Sequence, residues 1–281
     1  MLLSITWDVS PEIFNLFGRE IRWYGLFWAI GLFLAVMLVE KIYKRENIQE
    51  KWFNMLFWYV FIGVIVGARL GHCLFYNPEY YLSHPIEILK IWEGGLASHG
   101  GTLGIIIGVW LYHRKTGQNI LWVLDRLIVA AGLTATFIRL GNLMNSEIYG
   151  RATELPWGFR FVRDPQWWKP IAEGGSGALP CHPTQIYEAL IYFSIFLIAI
   201  YMYTKTNAPK KEGLILGICL IGIFLSRFLL EYLKNVQEDF EVVMRATIGM
   251  DMGQLLSLPF VIWGIWLIWN ATKKKTIEVK K

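Results

Sequence analysis

The chain has 281 residues, 55% of them hydrophobic and 16% aromatic, only 17% charged, and a formal net charge of +5. With a mean hydropathy of +0.40, that composition excludes an ordinary soluble domain. The modest positive balance points to membrane topology rather than to nucleic-acid binding. Cys73, Cys181 and Cys219 show no CxxC or metal-ligand spacing, so no disulfide framework and no metal site is expected, and no cofactor is implied.

Residues 1–22 mix Trp, Ile, Phe and Leu with Asp8, Ser10 and Glu12. The first twenty lack the basic start of a signal peptide. The segment is too short to span a bilayer and reads as an arm on the membrane surface. Apolar runs then predict spans at 23–39, 52–75, 95–112, 120–138, 186–203, 213–233 and 252–270. That makes about seven helices in one integral-membrane domain, 1–281. Between the fourth and fifth, residues 141–185 are rich in Pro, Gly and Trp and predict a small extracytoplasmic head. The expected fold class is all-α and polytopic. The 14 Trp and 13 Tyr suit the two interfacial belts.

Orientation follows from the short loops. Lys41, Lys44, Arg45 and Lys51 follow span one, Arg114 and Lys115 span three, and Lys205, Lys210 and Lys211 span five. The tail, 271–281, carries Lys273, Lys274, Lys275, Lys280 and Lys281. The alternate connections are poor in cations, with Lys90 in one and Lys234 and Arg245 in another. The N-terminus is therefore expected outside and the C-terminus inside.

That topology brings polar residues from several helices to one level, near the outer leaflet. Tyr24 opens span one, Arg69 and His72 lie in the outer half of span two, and His99 lies just inside span three. Arg139 ends span four, and the head begins with Asn142, Asn145, Glu147 and Gly150. His182, Gln185 and Glu188 open span five, Arg227 and Glu231 lie in span six, and Gln254 opens span seven. A charge at the bilayer centre costs at least about 2.5–3.5 kcal/mol, so such groups face a partner or a cavity. The stretch RLGNLMNSEIYG at 139–150 joins a guanidinium to two amides and a carboxylate, which suits a phosphate. It equally suits an ordinary polar helix end. Arg227 and Glu231, four apart, fit an internal ion pair; Arg69 fits a snorkelling cation; His99 fits a packed histidine. The inner halves of the spans are almost bare, which disfavours a transporter or flippase, the rival reading.

Motif tests exclude more than they find. There is no HExxH and no P-loop. The GGSG run at 174–177 lies in the polar head and reads as a turn. Cys181 beside His182 lacks an acidic orienter, so it is not read as a catalytic thiol. A metal-free, arginine-lined pocket with a histidine for proton transfer remains.

These residues resemble the prolipoprotein diacylglyceryl transferases. The likeness rests on IRWYG at 21–25, GARLG at 67–71, SHGG at 98–101 and the 139–150 stretch. It continues in PWG at 156–158, HPTQIYE at 182–188, RFLLE at 227–231 and MGQLLSLP at 252–259, so it covers nearly the whole chain in order. Ile138 stands where the family often has Gly, Leu143 where it often has Phe, and Ile223 where some members carry a tyrosine. The resemblance implies transfer of a diacylglyceryl group from phosphatidylglycerol to the thiol of a prolipoprotein lipobox cysteine, with release of glycerol phosphate. It also implies the bacterial cytoplasmic (inner) membrane, with membrane lipids as surroundings. The acceptor thiol has an ordinary pKa of about 8.5 and must lose its proton to attack carbon. His99 is the expected general base. Arg139 and Arg227 are expected to hold the phosphate, with Asn142 donating a further hydrogen bond. Tyr24, Arg69, Gly150, His182 and Gln185 are expected to contact the lipid, and Glu147, Glu188 and Glu231 to orient the arginines.

Overall fold

The computed structural model describes residues 4–91, 94–164, 179–235 and 239–273. Each apolar run becomes a helix, because a bilayer forces the backbone to satisfy its hydrogen bonds within the segment. The long helices are α1 (Trp23–Arg45), α2 (Glu50–Phe75), α4 (Ser98–Thr116), α5 (Ile120–Met144), α6 (Thr184–Lys205), α7 (Leu214–Leu230) and α9 (Met252–Lys273). Short helices α3 (Pro78–Ser83) and α8 (Asp239–Ile248) lie in connections too short in apolar residues to predict a span. Six of the long helices are apolar enough to cross a membrane, so this is a multi-pass membrane protein. α4, the third expected span, is not among the six. Polar residues occupy both its ends, Ser98 and His99 at one and 113–116 at the other.

The all-α expectation needs correcting. Five short strands are present among the described residues: β1 (Ser4–Trp7), β2 (Glu12–Leu16), β3 (Arg19–Arg22), β4 (Gly158–Phe161) and β5 (Pro180–Cys181). SITW and GFRF are rich in β-branched and aromatic residues, which favour a pleated, half-buried surface. They pair in parallel, Ser4 opposite Gly158 through Trp7 opposite Phe161. That pairing joins segments far apart in sequence, which no local pattern announces. β2 and β3 form an antiparallel hairpin within the expected surface arm. The 174–177 run and residues 274–281 of the basic tail lie outside the described residues.

The chain divides into two units, 36–126 and 1–35 with 127–281. Within 36–126, α2 and α4 approach backbone to backbone. A Cβ placed on Gly63, Gly67 or Gly104 would collide with a backbone carbonyl oxygen of the facing helix: Gly104, Gly100 and Gly63 respectively. Small residues at four-residue spacing permit such contact where hydrophobicity supplies no driving force between helices. At the other end of these helices Tyr43 and Tyr112 are buried, and Arg126 pairs with Glu46 at 2.9 Å while stacking on Trp122. Asp125 and Arg126 are both buried near the start of α5, so the bareness expected of these helix ends does not hold there.

In the other unit, β1, β4 and β5 cover a small core of Leu143, Tyr149, Phe159, Phe161 and Cys181, with Trp7 and Ile186 against it. The Trp7 indole donates to the Leu143 carbonyl at 3.0 Å. Tyr149 stacks on Phe161 with ring centroids 4.5 Å apart. This small core is thereby fastened to the end of α5, the element that carries Arg139.

Candidate functional site

α5 runs past residue 138 to Met144, so Arg139 sits inside the helix rather than at its end. Its side chain is 15% exposed, and its Nε stands 2.9 Å from Oε2 of Glu188, which is fully buried on α6. The other oxygen of Glu188 meets Nζ of Lys234 at 2.9 Å. Lys234, itself buried, reaches Glu231 at 3.4 Å. The carboxylate of Glu188 thus ties α5 to the segment after α7. Three hydrogen bonds within the 139–150 stretch follow in sequence. Arg139 donates to Asn142 Oδ1 at 3.3 Å, and the Asn142 amide donates to Glu147 Oε1 at 2.7 Å. Asn145 adds a second donor to that same oxygen at 3.3 Å.

The loop beyond α5 carries two left-handed residues and is anchored from α6. Ser146 and Ile148 have φ of 55° and 58°, the left-handed region that a β-branched side chain resists and that clusters at functional sites. Gln185 donates to the Glu147 carbonyl at 2.7 Å and Thr184 to the Ile148 carbonyl at 2.9 Å. Gly150 donates its N–H to the His182 carbonyl at 2.8 Å. A side chain there would meet the Leu233 carbonyl at 2.5 Å and His182 Cβ at 2.8 Å, so only glycine fits this close approach. Ser146 Oγ, Gln185 Oε1 and Asn145 Oδ1 are buried and meet no hydrogen-bond partner among the described residues.

Tyr24 packs on the same helix: a Cβ on Gly141 would lie 2.9 Å from its ring. With Arg22 and Asn145 it lines a cavity of about 530 Å³. Arg22 is ion-paired to Glu20 at 2.6 Å. Arg227 is half-buried on α7, and Tyr192 stands within electrostatic reach of both Arg139 and Arg227. Among the described residues Arg227 has no carboxylate within ion-pair distance, and Glu231 takes Lys234 instead. The cluster of Arg139, Arg227 and Lys234 against Glu188 and Glu231 therefore carries three cations and two carboxylates. Gly253, on α9, lies against Glu231, with a Cβ there 2.7 Å from its carboxyl carbon. The expected internal pair of Arg227 with Glu231 is thus replaced by a lysine. From the sequence Lys234 reads only as a loop charge; its signal is its spacing, three residues beyond Glu231 and seven beyond Arg227, just past the short 3-10 turn (Glu231–Leu233) that follows α7.

Two expected residues belong to the other unit. Arg69 is buried; it does not snorkel, and among the described residues it meets no carboxylate. Its Nε donates to the Ile88 carbonyl at 2.9 Å, Nη1 to Gly94 at 2.5 Å and Gly95 at 3.3 Å, and Nη2 to Glu87 at 2.5 Å. Tyr81 covers its face, 5.2 Å from the ring centroid. His99 is exposed in the first turn of α4. Burial pushes the Cys181 thiol up to about 11, with Asp164 adding to the shift, so that thiol stays protonated and is no nucleophile.

Fold and site together define a multi-pass helical membrane protein with a charged cluster built from separate spans. Residues 11–270 match the family model described as prolipoprotein diacylglyceryl transferase. The chain is 54% identical over 272 residues to a protein of Porphyromonas gingivalis named phosphatidylglycerol–prolipoprotein diacylglyceryl transferase, covering 96% of this chain and 95% of that one. Proteins of the same name from Bacteroides fragilis and Chloroherpeton thalassium are 47% and 44% identical, with 97% or more of each chain covered. The chain belongs to the prolipoprotein diacylglyceryl transferase family and is a diacylglyceryl transferase.

Proposed function

We propose that this enzyme moves the diacylglyceryl group of phosphatidylglycerol onto the lipobox cysteine of a prolipoprotein, at the outer leaflet of the bacterial inner membrane. The observation that carries this is the charge balance of the α5–α6–α7 cluster. Arg139 shares the Glu188 carboxylate with Lys234, and Arg227 has no carboxylate within ion-pair distance among the described residues, so the cluster leaves positive charge free for a phosphodiester. A phosphate there recovers the cost of holding that charge away from water.

In the reaction the thiolate sulfur attacks the diacylglycerol carbon that bears the phosphate. The C–S bond forms, the C–O bond breaks, and glycerol phosphate leaves with the electron pair. Arg139 and Arg227 hold the phosphate and stabilise the charge that grows on the leaving oxygen. Asn142, pinned by Glu147, keeps the Arg139 fork in plane, and Glu188 shares its charge between Arg139 and Lys234. Tyr24 shapes the headgroup side of the cavity, and Gly150 lets the loop after Arg139 close against His182. His99 takes the thiol proton. Seven crossings, an outside N-terminus, an extracytoplasmic head, a surface arm over 1–22 and a cytoplasmic tail over 271–281 complete the picture.

The test is purified protein with phosphatidylglycerol and a lipobox peptide, followed by peptide mass. A peptide heavier by one diacylglyceryl group, with one glycerol phosphate released, is expected. Lipid movement between leaflets with no adduct contradicts the proposal.

A further inference from the structure

His182, which the resemblance expects to contact the lipid, forms a hydrogen-bonded chain with Tyr187 and Trp157 beside Gly150. The Trp157 indole nitrogen donates to the Tyr187 hydroxyl at 2.9 Å. An indole N–H can only donate, so the phenol oxygen accepts and keeps its own hydrogen to give. The ring nitrogen that faces that hydroxyl is His182 Nδ1, at 3.4 Å, with the two rings edge to face. A neutral imidazole that accepts at Nδ1 carries its proton on Nε2. Burial, with no charged group contributing, pulls this imidazole below its ordinary value, so it is neutral at pH 7. Arg151 meets His182 only through backbone, accepting the His182 N–H at 3.0 Å.

We infer that Trp157 and Tyr187 are positioning residues that fix His182 in its Nε2–H form, so that it donates a hydrogen bond to a phosphate oxygen of the donor lipid and does not act as the base. The inference rests on the transfer reaction proposed above. It assigns His182 and His99 opposite duties: one gives a hydrogen bond and the other takes a proton. The missing side chain of Gly150 brings the His182 backbone into contact with the loop that follows Arg139.

Two measurements test it. In ¹⁵N-histidine-labelled wild-type protein, assigned with the His182→Gln variant, the His182 proton should sit on Nε2, and Tyr187→Phe should shift it toward a mixture of tautomers. A proton on Nδ1 in the wild type overturns the inference. In the transfer assay, His182→Ala should lose roughly ten- to a hundred-fold in kcat/KM, the scale of a hydrogen bond to a charged group. His182→Gln, whose amide nitrogen replaces Nε2–H, should recover most of it, and both variants should keep the pH limb of the base. Equal loss in Gln and Ala, no loss in Ala, or disappearance of that limb overturns it. A wild type that makes no adduct would instead defeat the proposed reaction, while the tautomer measurement would still be decisive here.

Discussion

Arg69 and Arg139 are the same residue in the same kind of place, an arginine low in exposure within a membrane-crossing helix. Their partners differ in kind. Arg69 gives its donors to four backbone carbonyls, those of Glu87, Ile88, Gly94 and Gly95, and thereby ties the turns after α2 together. Arg139 meets a carboxylate that it shares with Lys234, and an amide. Carbonyl dipoles saturate hydrogen bonds without cancelling charge, and they are spent on shape. A shared carboxylate leaves charge uncancelled and available to an anion. The use of a buried arginine is read from what faces it, not from its depth.

The largest effect should come from Arg139→Ala. It should lower kcat/KM by at least about 10³-fold, on the scale of losing a donor to a developing oxyanion, while the protein still reaches the membrane fraction. Unchanged turnover would remove Arg139 from the phosphate site. His99→Gln should cost roughly 10²–10⁴ in rate, and a small loss would pass proton transfer to another group. Glu188→Ala leaves Arg139 and Lys234 without their common counter-charge and should destabilise the fold by about 3–5 kcal/mol, read by denaturation in micelles. No change in stability would mean the pair is not buried as described.

Arg69→Met sharpens the contrast from the other side. Amide exchange across residues 85–95 should rise, because four carbonyls lose their donor. A changed affinity for phosphatidylglycerol with exchange untouched would place Arg69 with Arg139 after all. The smallest effect concerns acid. The folded imidazole of His182 has a lowered pKa, so below its ordinary value near 6.5 the unfolded chain takes up a proton that the folded one refuses. Stability from this residue is present above that pH and lost as pH falls through the folded value. His182→Gln should flatten that slope slightly.

Much of this was legible in the sequence, for physical reasons that also mark where reading stops. Apolar length fixes crossing helices, so α2 ends at Phe75 where the run ends. α5 overshoots to Met144 because Arg139 and Asn142 find partners inside the protein, which composition cannot show. The parallel pairing of β1 with β4 joins residues 4–7 to 158–161, beyond any local pattern. Arg139, Asn142, Glu147, Gly150, Gln185 and Glu188 meet in one network because a charge in a span demands a partner. Lys234 reads in the sequence as a loop cation, and loop cations serve first to orient the chain. Its spacing from Arg227 and Glu231 was the signal. The cage around Arg69 is built of backbone carbonyls, which no residue type announces.

The proposed function stands on Arg227 and Arg139 together holding the phosphate of the donor lipid. Native mass spectrometry of the purified protein with phosphatidylglycerol tests it directly. The wild type should retain one lipid that Arg139→Ala and Arg227→Ala each release, with the double variant no worse than the weaker single. Retention of the lipid by Arg227→Ala at wild-type affinity would contradict the account.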